Sequence, residues 1–258
     1  MHARAEATAA SRSFRPWDGL ASAIAFLTIV PVPAVGDAGL ERAAAWFPLV
    51  GAAIGALAGG VRLLCGEVVS ATVATVLAMI VLVVVTGALH QDGLADTADG
   101  LGVRGDRTRR LEVMRDSSTG VFGALALIGW ALLLFTTVAA LDGDRALRAL
   151  VVACALARWV ALVHAAATRP ARSDGLGAAL RVGPVALGVA TVVVVVVALA
   201  VGGLVPGGAA IGTAVAVAAV SVLFARGALG GRTGDTLGAT VAVVEVAVCV
   251  VLLGVWVG

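Results

Sequence analysis

Long uncharged apolar runs constrain this chain more than any other feature: from Gly183 to Val257 only Arg226, Arg232, Asp235 and Glu245 carry charge. A hydrocarbon core of roughly 30 Å is crossed by about 20 apolar residues in a helix, so such runs read as transmembrane helices. The composition agrees. With 60% hydrophobic residues, 13% charged residues and a mean hydropathy of +1.06, an ordinary soluble domain is excluded. The valine run from Val192 to Val197 would favour a strand in water. In lipid each backbone polar group must be satisfied within its own segment, and no polar alternation marks a barrel strand, so helix prevails.

Apolar windows bounded by charge, Pro or Gly place seven spans near 43–63, 70–89, 120–141, 146–167, 183–203, 208–225 and 237–257. The run from Gly19 to Val30 is too short to cross and ends in Pro31-Val32-Pro33, so it reads as an interfacial or re-entrant helix. The expected fold class is all-α: a polytopic integral membrane bundle of about seven transmembrane helices plus that short N-terminal helix. Residues 17–258 form a single transmembrane catalytic domain in this reading, preceded by a flexible cytoplasmic tail over 1–16. Gly51, Gly55 and Gly59 recur at four-residue spacing, which lets a neighbouring helix approach closely.

Arginine sets the expected orientation, because cytoplasmic loops carry the positive excess. The N-terminal segment and the loops after the second, fourth and sixth spans hold fourteen of the eighteen basic residues, against Arg62, Arg145 and Arg148 on the other side. The chain is thus expected in the cytoplasmic (inner) cell membrane with its N-terminus and its polar loops cytoplasmic. All 18 basic residues are Arg, a compositional bias, and a net charge of +2 without a basic face gives no electrostatic case for nucleic acid. Cys65, Cys154 and Cys249 lie in or beside apolar runs at spacings that fit neither zinc nor a disulfide framework, so they read as structural thiols.

The polar segments carry the chemistry. The stretch HQDGLADTADG sets Asp92, Asp96 and Asp99 at intervals of four and three, one face of a helix. Three close carboxylates repel unless a cation sits among them, and hard oxygen ligands suit Mg²⁺ or Mn²⁺ with phosphate oxygens completing the shell. His90 is a candidate to position substrate. In RRLEVMRDSSTGVFG, Arg115 and Asp116 precede a turn with Ser117 and Ser118 at the start of an apolar helix, where backbone N–H groups favour an anion. Arg169 and Arg172 in TRPARSDGLG offer fork-shaped cations for phosphate, and GGRTGDTLGA places Asp235 in a Gly-rich bend. Arg158, His164 and Glu245 fall at lipid depth, where Arg158 and Glu245 are expected to pair.

FLTIVPVP (26–33), FPLVGAAIGAL (47–57), HQDGLADTADG, LEVMRDSSTGVFGALAL (111–127) and GGRTGDTLGA, in this order, resemble the cobalamin synthase (adenosylcobinamide-GDP ribazoletransferase) family from about Trp17 to Glu245. The resemblance implies a Mg²⁺-dependent membrane phosphotransferase. It would join adenosylcobinamide-GDP to α-ribazole or its 5′-phosphate and release GMP, the last assembly step of the nucleotide loop in cobalamin biosynthesis. On that basis Asp92, Asp96 and Asp99 are expected to hold the metal and Arg115 and Asp116 the phosphate end. Asp99 or Asp116 is expected to orient or deprotonate the attacking hydroxyl. His90, Ser117, Arg169, Arg172 and Asp235 complete the expected substrate and phosphate contacts. Two other readings of the residues stand beside it: a lipid-forming CDP-alcohol phosphotransferase, whose acidic motif has a longer spacing, and a secondary transporter, which expects its polar groups at the midplane.

Overall fold

The computed structural model describes residues 17–32 and 38–258; the expected tail over 1–16 and Pro33 lie outside the described residues. The chain runs through helices α1 (Asp18–Leu27), α2 (Ala38–Ala43), α3 (Phe47–Cys65), α4 (Ala71–Val85), α5 (Leu89–Gly102), α6 (Arg107–Val113), α7 (Val121–Ala139), α8 (Gly143–Ala167), α9 (Leu176–Ala179), α10 (Pro184–Gly202), α11 (Leu204–Leu229) and α12 (Gly234–Val257). Among the described residues there is no strand beyond an isolated bridge between Pro170 and Arg232. The all-α expectation holds despite the valine run, which lies within α10.

Among the described residues six helices are long and apolar enough to cross a membrane, or seven if α4 and α5 count as one bent span. Five of the expected spans coincide with α7, α8, α10, α11 and α12 to within a few residues, and α3 matches the first. The expected span 70–89 requires correction. Its helix stops at Val85, and after Thr86 the chain turns by 86° into α5. Gly87 and Ala88 both take left-handed angles there, φ 60° and 58°, and end the α4 ladder. A 15-residue helix rises only about 22 Å, so α4 is short for a span. It still traverses the bundle. Its start follows the α3 end that Arg62 ties to the α7–α8 turn through Leu141 O at 3.1 Å, whereas α5 beyond it meets the opposite end of α7. Since α5 carries three Asp in 14 residues, it lies across the end of the bundle, outside the spanning segments.

The centre of the bundle is α8: 78% of its apolar window is buried, against 22% for α10 and α11. Small residues let α3 pack against it. An added methyl at Gly51, Gly55 or Gly59 would collide with main-chain atoms of Cys154, Leu150 and Leu147 in turn, which is the close approach their spacing implies. Large side chains such as Val192, Leu132 and Leu223 face outward, as a lipid-facing surface requires. Between α8 and α12, Arg158 pairs with Glu245 at 0% and 2% side-chain exposure, so the expected internal ion pair is present. The three cysteines are free; Cys154 and Cys249 are buried, and Cys65 is partly exposed.

The short helix α1 ends three residues earlier than the expected run. Ile29 N donates to Val85 O at 2.9 Å, fastening its exit to the end of α4, and the ring of Phe26 stacks on Phe47 at 5.5 Å. The N-terminal end of α3, the C-terminal end of α4, α5 and the start of α12 therefore share one end of the bundle.

Candidate active site

On α5, successive residues advance by about 100°, so Asp92, Asp96 and Asp99 fall within an arc of about 60°. The first turn of α12 crosses that helix at a point without side chains. A Cβ at Gly93 would stand 2.7 Å from Asp235 O and 3.2 Å from Gly238 Cα. This close crossing brings Asp235 beside the α5 acids. α12 begins in a reciprocal cap, in which Thr236 N donates to Thr233 Oγ1 at 3.1 Å and Thr233 N donates to Thr236 Oγ1 at 2.9 Å. The cap holds the orientation in which Asp235 enters the site.

Arginine enters from the α8–α9 loop, which Arg232 fastens from below. Its guanidinium donates to Gly177 O and Leu180 O at 2.9 Å each and to Thr168 O, while Ala171 N donates to Arg232 O at 2.7 Å. The loop delivers Arg172, whose Nη2 donates to Leu111 O at 2.9 Å and whose Nη1 lies 3.7 Å from Asp235 Oδ2. From the α6–α7 turn, Arg115 reaches across to Asp174, with Nη2 at 2.8 Å from both carboxylate oxygens. The result is a cleft of about 290 Å³ at one end of the bundle. Asp92, Gly93 and Asp235 line it together with Arg115, Arg172, Asp174 and Arg232.

The expected residues divide into three groups. Asp92, Arg115, Arg172 and Asp235 line the cleft, and Asp96 sits next to them on the same face of α5. Burial first, then the charges of Asp92, Asp235 and Asp99, push the Asp96 carboxyl up to about 6. Other residues serve the backbone around the cleft. Asp99 accepts from Gly120 N at 2.7 Å and Gly123 N at 2.8 Å, capping the start of α7, which has no side-chain cap of its own. Asp116 accepts from Ser118 N at 2.9 Å, and that bond holds its carboxyl below the usual range. Arg169 donates to Gly230 O at 3.3 Å, and Ser117 is exposed; neither lines the cleft.

His90 forms a third group. It lies beneath the cleft, 4% exposed, with neither ring nitrogen partnered, and its burial and the nearby Arg158 charge hold the imidazole well below its ordinary range. Sequence reasoning singled out neither Arg232 nor Asp174 as a site residue. Their only sequence signal is adjacency, in GGRTGD and ARSDG, to residues that were singled out.

The donor set fits a hard divalent cation. Asp235 Oδ2 is buried without a hydrogen bond, and Asp96 stands among like charges that Arg172 alone offsets. Among the described residues no three His, Cys, Asp or Glu side chains already surround one point. Mg²⁺ characteristically takes one or two carboxylates and fills the rest of its shell with water and substrate phosphate.

Residues 19–253 match the family described as cobalamin-5-phosphate synthase. The chain is 38% identical over 251 residues to an adenosylcobinamide-GDP ribazoletransferase from Sinorhizobium medicae, covering 90% of this chain and 94% of the relative. It is 37% identical over 243 residues to proteins of the same name from Shigella flexneri and Escherichia coli K12, covering 89% of this chain and 97% of each. No solved structure matches it.

Proposed function

The chain belongs to the cobalamin-5-phosphate synthase family, and from that premise we propose that it is a membrane-embedded phosphotransferase with the activity named for its relatives. It transfers the cobinamide-phosphate group of adenosylcobinamide-GDP to α-ribazole or its 5′-phosphate. The products are adenosylcobalamin or its 5′-phosphate, and GMP. The observation that carries this reading is a cleft in which Asp92 and Asp235 come together with Arg115, Arg172 and Arg232. Paired carboxylates and guanidinium groups are what a diphosphate substrate asks of a protein.

In this mechanism a ribose 3′-hydroxyl attacks the phosphorus nearest the cobinamide arm. The new O–P bond forms as the bond to GMP breaks, and GMP leaves with that electron pair. Arg115 and Arg172 are assigned to the leaving phosphate, where charge gathers, and the buried Arg232 holds the α8–α9 loop that carries Arg172. Asp92 is an exposed cleft carboxylate, whereas Asp174 is taken up by Arg115 and Asp235 is partly buried, and Asp92 takes the proton of the attacking hydroxyl. Asp99 keeps the positioning task its two backbone bonds define, joining α5 to α7. Asp92, Asp96 and Asp235 are the residues that would hold Mg²⁺ or Mn²⁺, which when bound supplies charge neutralisation to the diphosphate. The arginine-rich end of the bundle is assigned to the cytoplasm, where soluble nucleotide substrates arrive.

The test is GMP release from adenosylcobinamide-GDP by detergent-solubilised protein, with and without α-ribazole and with Mg²⁺ or chelator. Release that needs both acceptor and metal is expected. No release from folded protein overturns the assignment.

A further inference from the structure

Below the cleft lies a second space of about 40 Å³ that shares Leu89, Leu176 and Gly234 with it. Its walls are apolar, with Phe26, Phe47, Leu180 and Leu237 among them, but two polar side chains close it: His90 and Arg158. Both are more than nine-tenths buried. Neither nitrogen of His90 has a partner, and Nε and Nη2 of Arg158 have none either, because Glu245 engages only Nη1. Desolvated donors without acceptors are costly, so this slot is built for an occupant.

Charge, size and hydrogen-bonding pattern define that occupant. Arg158 is already neutralised by Glu245, so an anion in the slot would be an uncompensated buried charge. A neutral guest must offer Arg158 an acceptor and give His90 a hydrogen-bond partner. At roughly 10–15 Å³ for each water-sized group, the slot has room for about three. A primary carboxamide has three heavy atoms, one acceptor and two donor hydrogens, and its methylene stem suits the aromatic and aliphatic walls.

We propose that this slot binds a primary carboxamide side chain of the corrinoid substrate and so anchors the ring while the diphosphate lies in the adjoining cleft. The inference rests on the function proposed above, since cobinamide carries such amides around its rim. A sugar hydroxyl of α-ribazole is also neutral with donor and acceptor, but it is one heavy atom. The two sources predict that different substrates lose affinity.

The first experiment leaves the protein untouched. Derivatives of adenosylcobinamide-GDP, each with one rim carboxamide hydrolysed to a carboxylate, are assayed for GMP release. At least one isomer is expected to show a KM raised tenfold or more; equal KM values across the set overturn the proposal. The second fills the slot with Ala161→Leu, at a lining position that is 7% exposed. The expected result is a KM for adenosylcobinamide-GDP raised at least tenfold, with kcat within about threefold and the KM for α-ribazole unchanged. A rise in the α-ribazole KM instead, or no change in either from protein that melts like the parent, overturns it. Wild-type protein that releases no GMP at all fails the functional reading itself, whereas an active wild type with insensitive KM values fails the slot alone.

Discussion

Nη2 of Arg115 lies 2.8 Å from both carboxylate oxygens of Asp174, joining the α6–α7 turn to the α8–α9 loop across the mouth of the cleft. The side chains are 56% and 66% exposed, so the pair contributes little to stability, on the order of 1 kcal/mol at most. Its consequence is positional. It holds a guanidinium at the edge of the cleft, with Arg172 and Arg232 lining the same space.

Arg115→Ala is therefore expected to lower kcat/KM for GMP release by about 100-fold, as for the loss of a charge-stabilising donor, with melting unchanged within a few degrees. Activity within threefold of the parent would remove Arg115 from phosphate contact. Asp174→Ala keeps the Arg115 charge but releases its anchor, and is expected to cost less than tenfold.

Asp96 gives a prediction of opposite sign for activity and stability. Its carboxyl is raised to about 6 from 3.8, so between about pH 4 and pH 6 the folded protein binds more protons than the unfolded chain. Stability supplied by this group is thus lost as pH rises through that window. Without divalent cation, Asp96→Asn is expected to raise the melting temperature at pH 7.5 and to flatten the pH dependence, while turnover with Mg²⁺ falls at least 100-fold. Unchanged melting at pH 7.5 under chelation would contradict the crowding of acids around Asp96.

At the crossing of α5 and α12, Gly93→Ala adds a methyl 2.7 Å from Asp235 O. Main chain cannot yield as a flexible side chain does, so the two helices must part by a few tenths of an ångström. GMP release is expected to drop more than tenfold, with the apparent Mg²⁺ requirement moving to higher concentration. Full activity at the parental Mg²⁺ concentration would show that the crossing does not set the spacing of the acids.

The ion pair between α8 and α12 is tested by removing each half. Arg158→Met or Glu245→Met leaves a buried charge without its partner, and each is expected to cost about 3–5 kcal/mol in detergent unfolding. Arg158→Met with Glu245→Met removes both charges, and folding is expected to recover most of that loss. A double variant as unstable as the sum of the two singles would show that the two residues do not act as a pair.

Much of the fold was legible in the sequence because lipid leaves so few alternatives. An uncharged run of twenty residues must satisfy its own backbone hydrogen bonds, and helix is the solution available to a single segment. The spacing of Gly51, Gly55 and Gly59 foretold a close helix contact, although only the fold shows that its partner is α8. The expected span 70–89 overruns its helix, which stops at Val85, for a local reason. Hydropathy runs smoothly through Thr86, Gly87 and Ala88, and nothing in composition shows that Ala88 takes φ 58° and turns the chain by 86°.

For the candidate site, the sequence by itself determined which residue types are present and that Asp92, Asp96 and Asp99 share a helical face, because helical periodicity is a local property. Tertiary structure decided how they divide. Asp99 and Asp116 face backbone N–H groups, a commitment that depends on where the start of α7 and the Ser118 amide lie. Asp235 joins Asp92 across more than 140 positions of chain because Gly93 and Gly238 let two helices cross without side chains between them. His90 of α5 and Arg158 of α8 meet over one small slot. Contacts between residues far apart in sequence arise from how helices pack, and no periodicity along the chain encodes them.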